Sequence, residues 1–219
     1  MTLLVYGHPF SSYTQKVLIS LYESATPFEF RCIAPDMADN IAEWTGRWPL
    51  RKFPLLVDGD RQVVETSIII EYLDITHPGP ARLLPDDPMT ALEVRFMDRF
   101  FDLHVMNAAQ YAVDGALTGD PVKRRDGMAS AVEKLDRAYG WLDGALAGRT
   151  WAAGDNFSLA DCAAAPALFY ADWTHSIPDS LITLRAYRAR LLARPSFARA
   201  VEEARPYRPL FPLGAPDRD

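Results

Sequence analysis

The sequence predicts two folds in one chain: a small mixed β-sheet with helices packed on it over residues 1–80, then an all-helical bundle over residues 88–205. Three observations predict this. Short β-rich runs occur only in the first 80 residues. Beyond Pro88, apolar residues recur at helical spacing and no strand pattern is found. Between the two regions stand His77-Pro78-Gly79-Pro80 and Pro85-Asp86-Asp87-Pro88, a Pro-rich connection that interrupts regular structure.

The first elements follow in order. Residues 3–6 are a continuous apolar run, the pattern of a strand buried on both faces. Residues 12–24 make a helix with Val17, Leu18, Leu21 and Tyr22 on one face. Residues 28–33 alternate, as a half-exposed strand does, and residues 36–49 read as irregular. Residues 55–57 and 62–64 flank Asp58-Gly59-Asp60, a turn signal that makes them a hairpin. Ile68, Ile69, Tyr72 and Leu73 mark the next helix. The order is β-α-β followed by β-β-α. The first unit should be parallel with a right-handed crossover, and the second antiparallel. A four-stranded mixed sheet covered by helices results, which is the thioredoxin-like arrangement.

In the second region, Leu92, Phe96, Phe100, Leu103 and Met106 recur at helical spacing, as do Met128, Val132, Leu135, Tyr139, Leu142 and Leu146. These predict two long antiparallel helices of a bundle. Further helices are expected near residues 159–173, 181–192 and 197–204, with residues 206–219 as a Pro-rich, extended tail.

Composition narrows the function. A chain of 219 residues, 49% hydrophobic and 24% charged, is neither disordered nor fibrous. Its net charge of −6 has no like-charge block, which argues against nucleic acid or an anionic membrane as partner. No run approaches the roughly 18–20 apolar residues that span a bilayer, and the apolar start lacks the features of a signal peptide. Cys32 and Cys162 lie far apart and fit no ligand spacing. A disulfide framework or metal site is not expected, and a reducing cytoplasm is.

Four segments could carry chemistry. In Gly7-His8-Pro9-Phe10-Ser11-Ser12-Tyr13-Thr14-Gln15, Ser12 and Gln15 fit a capping box. That leaves Ser11 outside the helix start without a structural duty, where dipole and free N–H groups favour an anion. Its hydroxyl could donate to a thiolate; the alternative is that both serines are caps. In Trp48-Pro49-Leu50-Arg51-Lys52-Phe53-Pro54-Leu55-Leu56, Pro54 stands at a strand entry. A cis Phe53–Pro54 bond would turn the Phe53 backbone toward a peptide-like ligand, although trans is the commoner state. At Val64-Glu65-Thr66-Ser67, a carboxylate and a hydroxyl fall where a strand meets an apolar helix. They can hold a ligand's ammonium and carboxylate, or merely cap the helix. Asp155-Asn156-Phe157-Ser158-Leu159-Ala160-Asp161 reads as a structural capping box.

Together, the serine-bearing turn, the Lys-Phe-Pro strand entry and Val-Glu-Thr before Ile-Ile-x-x-Tyr-Leu resemble the cytosolic glutathione transferase superfamily, in a bacterial, serine-type form with a theta- or zeta-like N-terminal motif. Phe157-Ser158-Leu159-Ala160-Asp161 matches the helix start of the family's second domain, so the resemblance covers nearly the whole chain. It implies the glutathione transferase fold: an α/β thioredoxin-like domain over residues 1–80 and an all-α bundle over residues 88–205. Glutathione is then the co-substrate, no metal is needed, and the protein is a cytoplasmic homodimer. Residue by residue, the resemblance implies that Ser11 activates the glutathione sulfur. Phe53 pairs its backbone with the cysteinyl unit, and Lys52 reaches the glycyl carboxylate. Glu65 and Thr66 hold the γ-glutamyl group.

Three departures matter. Thr66 replaces serine, which keeps the hydroxyl. Trp48 and Arg51 replace asparagine and glycine, which makes that wall bulkier. Tyr13 stands where zeta-like members have cysteine, which disfavours maleylacetoacetate isomerase. Tyr6 is the second candidate for the activating hydroxyl, and Tyr13 the third. The electrophile, small and hydrophobic, would lie between the domains, where Phe10, Phe101, Tyr111 and Trp173 are candidate walls. Rival readings are a glutathione-binding or scaffold protein without catalysis, a glutathione-dependent isomerase, and a thiol-disulfide reductase. The last is disfavoured because the turn has no Cys-x-x-Cys and neither cysteine is expected near it.

Overall fold

The N-terminal apolar run forms β1 (Leu3–Gly7), whose side chains alternate between two cores. Leu3 and Val5 join the main core, while Tyr6 packs with Trp44, Leu55 and Val57 on the other face. The computed structural model describes residues 2–80 and 82–219. In it β1 pairs in parallel with β2 (Phe28–Cys32) and antiparallel with β3 (Leu55–Asp58), and β3 pairs antiparallel with β4 (Arg61–Val64). The sheet order is therefore β2-β1-β3-β4. The register Leu4↔Val57 and Leu56↔Val63 puts the β-branched and Leu side chains of adjacent strands on shared faces.

Helices α1 (Ser12–Glu23), α2 (Ala38–Arg47) and α3 (Thr66–Thr76) complete the sheet unit. Helix α2 replaces the irregular stretch expected at residues 36–49. It buries Trp44 alone, yet Met37, Ile41, Trp44 and Trp48 recur at helical spacing, so the helical period was present in the sequence. The Trp44 indole donates to the Lys52 carbonyl at 3.1 Å, which ties α2 to the entry of β3. Helix α3 buries Ile69, Ile70 and Leu73, whereas Ile68 faces solvent.

The Pro-rich connection is pinned down. The Asp74 carboxylate accepts from the Leu83 amide at 2.8 Å and from Arg82 at 2.9 Å; Ala81 lies outside the described residues. Helix α4 (Pro88–Phe100), capped by Asp87 on the Thr90 amide, runs through a π-helical turn (Phe101–Met106) into α5 (Asn107–Leu117). The chain then returns as α6 (Pro121–Ala145). These helices nearly touch at Gly115 and Gly127, where an added Cβ would come within 2.5 Å of the Lys123 carbonyl and 2.4 Å of the Tyr111 carbonyl. Only glycine fits there.

Of the stripe read from the sequence, Met106 is buried and Phe100 half-buried, but the rest lies on the outer face. Leu92, Phe96 and Leu103 are 56%, 51% and 47% exposed, while Val94, Met97, Asp98, Phe101, Asp102 and Val105 are buried. The π-helical turn shifts the register only from Phe101 onward, and two carboxylates, Asp98 and Asp102, occupy the inward side. The α6 stripe is right at Leu135, Tyr139 and Leu142. Helix α7 (Leu159–Thr174) is buried over nearly its whole length; α8 (Ile182–Leu192) packs on it, and α9 (Pro195–Ala204) packs mainly on α1 and touches α7 through Phe197 against Phe169. At its start, the Asp161 carboxylate accepts from the amides of Ser158 and Ala152, both at 2.9 Å, and from the Tyr187 hydroxyl at 2.7 Å. This motif is structural, as expected. Among the described residues no helix is long and apolar enough to cross a membrane.

The C-terminal tail is not extended. It forms a 3-10 helix (Arg205–Leu210), then buries Phe211 against Tyr170 and Trp173 at ring distances of 6.3 and 5.4 Å. Two aromatic rings of α7 give the tail an apolar seat that outweighs its proline content.

Candidate functional site

Two helix starts and one strand entry build the site. At the first, Ser11 rather than Ser12 is the N-cap of α1: its Oγ accepts from the Thr14 amide at 3.3 Å, and its carbonyl accepts from the Gln15 amide at 2.9 Å. The capping box expected between Ser12 and Gln15 does not form, because the Gln15 side chain is buried and bonds elsewhere. Ser11 therefore has a structural duty after all. Accepting a bond uses an oxygen lone pair and leaves the hydroxyl proton free to donate.

The second helix start and the strand entry face one another across a cleft of about 480 Å³. Lys52, Phe53, Pro54, Glu65 and Thr66 line it, joined by Tyr13, Trp48, Ser67, Arg99 and Asp102. The Phe53–Pro54 bond is cis, and Phe53 has no main-chain hydrogen bond among the described residues. Glu65 precedes α3 with φ 67° and ψ 118°, and its exposed carboxylate caps nothing. A non-glycine residue held at positive φ costs about 1–3 kcal/mol and marks functional sites. Arg51 also has positive φ, 51°, at the place where the family pattern has glycine. Thr66, next to Glu65, is buried at the helix start. The structure thus brings Lys52, Phe53, Glu65 and Thr66 together. Ser11 is not part of this wall; it lies two residues before Tyr13, which is.

Behind the cleft lies a polar network that sequence reasoning missed. Lys16, 1% exposed, pairs with Asp98 at 2.5 Å and Asp102 at 2.9 Å, and donates to Ser67 Oγ at 3.0 Å. Ser67 Oγ in turn donates to Asp98 at 2.7 Å, and Arg99 reaches Asp102 at 3.0 Å. Burial pushes the Asp102 carboxyl above its ordinary range, and Lys16 pulls it back. The available signal was a lysine inside the apolar face of α1 and two aspartates four apart, Asp98 on α4 and Asp102 in the π-helical turn.

The alternative hydroxyls separate. Tyr6 lies on the α2 face of the sheet, fully buried, and its pKa is pushed up to about 12 by burial and by Glu43. Tyr13 lines the cleft, donates to Asn107 Oδ1 at 3.2 Å, and is also pushed up to about 12 by burial. Both stay protonated at neutral pH. Of the candidate walls for an electrophile, Phe101 is core and Trp173 nearly so, whereas Phe10 is half-buried and Tyr111 is exposed.

One expectation about thiols is corrected. Cys32 is the register partner of Gly7, so it stands beside the first residue of the serine turn. Its thiol is pushed up by burial, and that of the fully buried Cys162 more so. Neither is an activated thiolate.

Known proteins share this architecture. The family models for the N-terminal and C-terminal domains of glutathione S-transferase match residues 5–81 and 110–190. The chain is 28% identical to the "Probable maleylacetoacetate isomerase" of Vibrio cholerae, covering 94% of this chain and 98% of that protein. It is 30% identical to a GST-like protein of Escherichia coli, covering 86% and 93%. A glutathione S-transferase structure from Methylobacillus flagellatus, solved with glutathione bound, superimposes with a TM-score of 0.76 at 26% identity, covering 91% of this chain and 98% of that one.

Proposed function

Because the chain belongs to the cytosolic glutathione S-transferase superfamily, we propose that it binds glutathione in the cleft of Lys52, Phe53, Glu65 and Thr66 and transfers it to a small electrophile. The observation that carries this is the convergence of those four residues on one cleft, between the entry of β3 and the start of α3, with Ser11 capping the neighbouring helix. The Phe53 backbone pairs with the cysteinyl unit, and Lys52 attracts the glycyl carboxylate. Thr66 and the start of α3 take the γ-glutamyl carboxylate, and Glu65 its ammonium. Ser11 then donates to the sulfur. A free thiol has a pKa near about 8.5. One charge-assisted hydrogen bond is worth about 1.5–3 kcal/mol, or roughly one to two pKa units. That makes thiolate a major species at neutral pH, and no metal is called on. The thiol proton passes to water, and the thiolate then forms a carbon–sulfur bond as the electrophile's leaving group departs with its electron pair or its double-bond pair moves away and takes up a proton. In the cytoplasm such conjugation detoxifies reactive compounds.

The protein acts as a homodimer. Leu92, Phe96, Leu103 and Trp141 are exposed apolar residues on neighbouring helices, and the Phe96 and Trp141 rings lie 5.9 Å apart. Such a patch fits a second copy.

The test is a titration of thiolate absorbance in the glutathione complex. Ser11→Ala should raise the thiol pKa by about one unit or more. Ser11→Gly should do the same with only a few tenths of a kcal/mol lost from the cap. An unmoved titration in both variants removes Ser11 from the role. A second reading, glutathione-dependent isomerisation, draws on the relative in Vibrio cholerae, although Tyr13 occupies the place of the zeta-like cysteine. Transfer consumes glutathione one for one, isomerisation regenerates it, and a binding protein does neither. Following glutathione concentration alongside product separates the three.

A further inference from the structure

We infer that Tyr170, on α7 of the helical half, is the positioning residue that holds the serine turn in its working shape. This role presupposes Ser11 as the donor to the sulfur. The Pro9 and Phe10 carbonyls both turn inward, toward buried side chains. Gln15, fully buried, donates from Nε2 to the Pro9 carbonyl at 3.0 Å and to the Tyr170 hydroxyl at 3.1 Å. The Tyr170 hydroxyl donates to the Phe10 carbonyl at 2.9 Å. Carbonyls only accept, so the direction of this relay is settled: amide to hydroxyl to carbonyl.

The opposite ends of the same peptides are also tied. The Phe10 amide donates to His8 Nδ1 at 3.2 Å, and the Ser11 amide donates to the His8 carbonyl at 2.9 Å. In a trans peptide the N–H and C=O point in opposite directions. Both peptide planes leading into Ser11 are therefore clamped front and back, and three of the four tethers are local to the turn or α1. The fourth comes from the other half of the molecule, through one hydroxyl. Tyr170 is 4% exposed, with Phe10 at 5.3 Å, Phe169 at 5.2 Å and Trp173 at 5.7 Å from its ring. The ring is thereby locked, so the hydroxyl has one place to be. A hydrogen bond to sulfur weakens steeply with misalignment, and small displacements of a catalytic group are felt in the rate.

Replacing Tyr170 by Phe keeps the packing and removes only the hydroxyl. It leaves the Phe10 carbonyl and one Gln15 N–H seeking new partners, which the turn can supply only by rotating. Expected results are a fall in kcat of about tenfold, a KM for glutathione within about twofold, and a rise of about half a unit in the bound thiol pKa. Tyr187→Phe is the control. It deletes an equally buried hydroxyl, the one donating to Asp161, and should lower stability without moving the thiol pKa. In a Ser11→Ala background, Tyr170→Phe should add nothing to the thiol pKa, since it acts through Ser11. If Tyr170→Phe leaves kcat and thiol pKa unchanged while Ser11→Ala shifts the pKa, the positioning role is overturned and the Ser11 assignment stands. The same shift from Tyr187→Phe would also overturn it, because general loosening then explains both. A silent Ser11→Ala removes the Ser11 assignment, and the role of Tyr170 falls with it.

Discussion

Glu65 holds a conformation that its own chemistry disfavours, with φ 67° and an exposed carboxylate that caps nothing. Strain of this kind persists where the surrounding structure over-determines it, and it aims the side chain into the cleft mouth instead of along the helix. Glu65→Ala should weaken glutathione binding by about 1.5–3 kcal/mol, the range for a charged hydrogen bond. Glu65→Gly should weaken binding similarly but raise the unfolding midpoint, since glycine adopts positive φ without penalty. Calorimetry and thermal unfolding measure the two sides. Unchanged affinity in both variants would remove Glu65 from the ligand. At Ser11 the two demands fall on one side chain, which caps with a lone pair and keeps its proton. Ser11→Ala should thus lose about 0.5–2 kcal/mol of stability, a loss that the sequence had assigned to Ser12.

Among the elements, α1, α3 and α4 are joined by charge as well as by apolar contact. Lys16 stands between Asp98 and Asp102, with Ser67 completing the set. A buried pair contributes little net stability when complete, but removing one partner leaves an uncompensated charge in a low-dielectric setting. Lys16→Met should therefore destabilise the fold by about 3–5 kcal/mol, measured as a lower urea midpoint with an unchanged slope. A loss below about 1 kcal/mol, the value of an exposed pair, would mean that the triad is solvated. This network also explains why the α4 face was misread. Periodicity analysis scores Asp98 and Asp102 as outward-facing, but their partner is a lysine 82 and 86 positions away. Helix α2 was legible in principle, since Met37, Ile41, Trp44 and Trp48 recur at helical spacing although only Trp44 is buried.

For the whole molecule, the exposed Leu92, Phe96, Leu103 and Trp141 remain as an apolar face outside both cores. Phe100 stacks on Trp141 at 4.3 Å, and this face is the one proposed to meet a second copy. Burying a charge there without a counter-charge is costly, so a Phe96→Glu, Trp141→Glu double variant should shift the protein from dimer to monomer with its fold retained. Sedimentation at several concentrations reads this directly. A wild-type protein that stays monomeric at every concentration tested would rule out the assembly.

The sequence by itself determined the order of strands, the hairpin, the α6 and α7 helices, and the two short motifs at residues 52–54 and 64–66. These depend on local propensity and on which residues follow one another, and that information is carried along the chain. Tertiary structure decided the rest. Which serine caps α1 depends on where Gln15 can bond, and its partner Tyr170 is 155 residues away. Which face of α4 turns inward depends on Lys16, and where the tail lies depends on an aromatic seat formed by α7. Each is a choice between locally similar alternatives that differ by a few kcal/mol, and the deciding partner arrives only when distant segments pack.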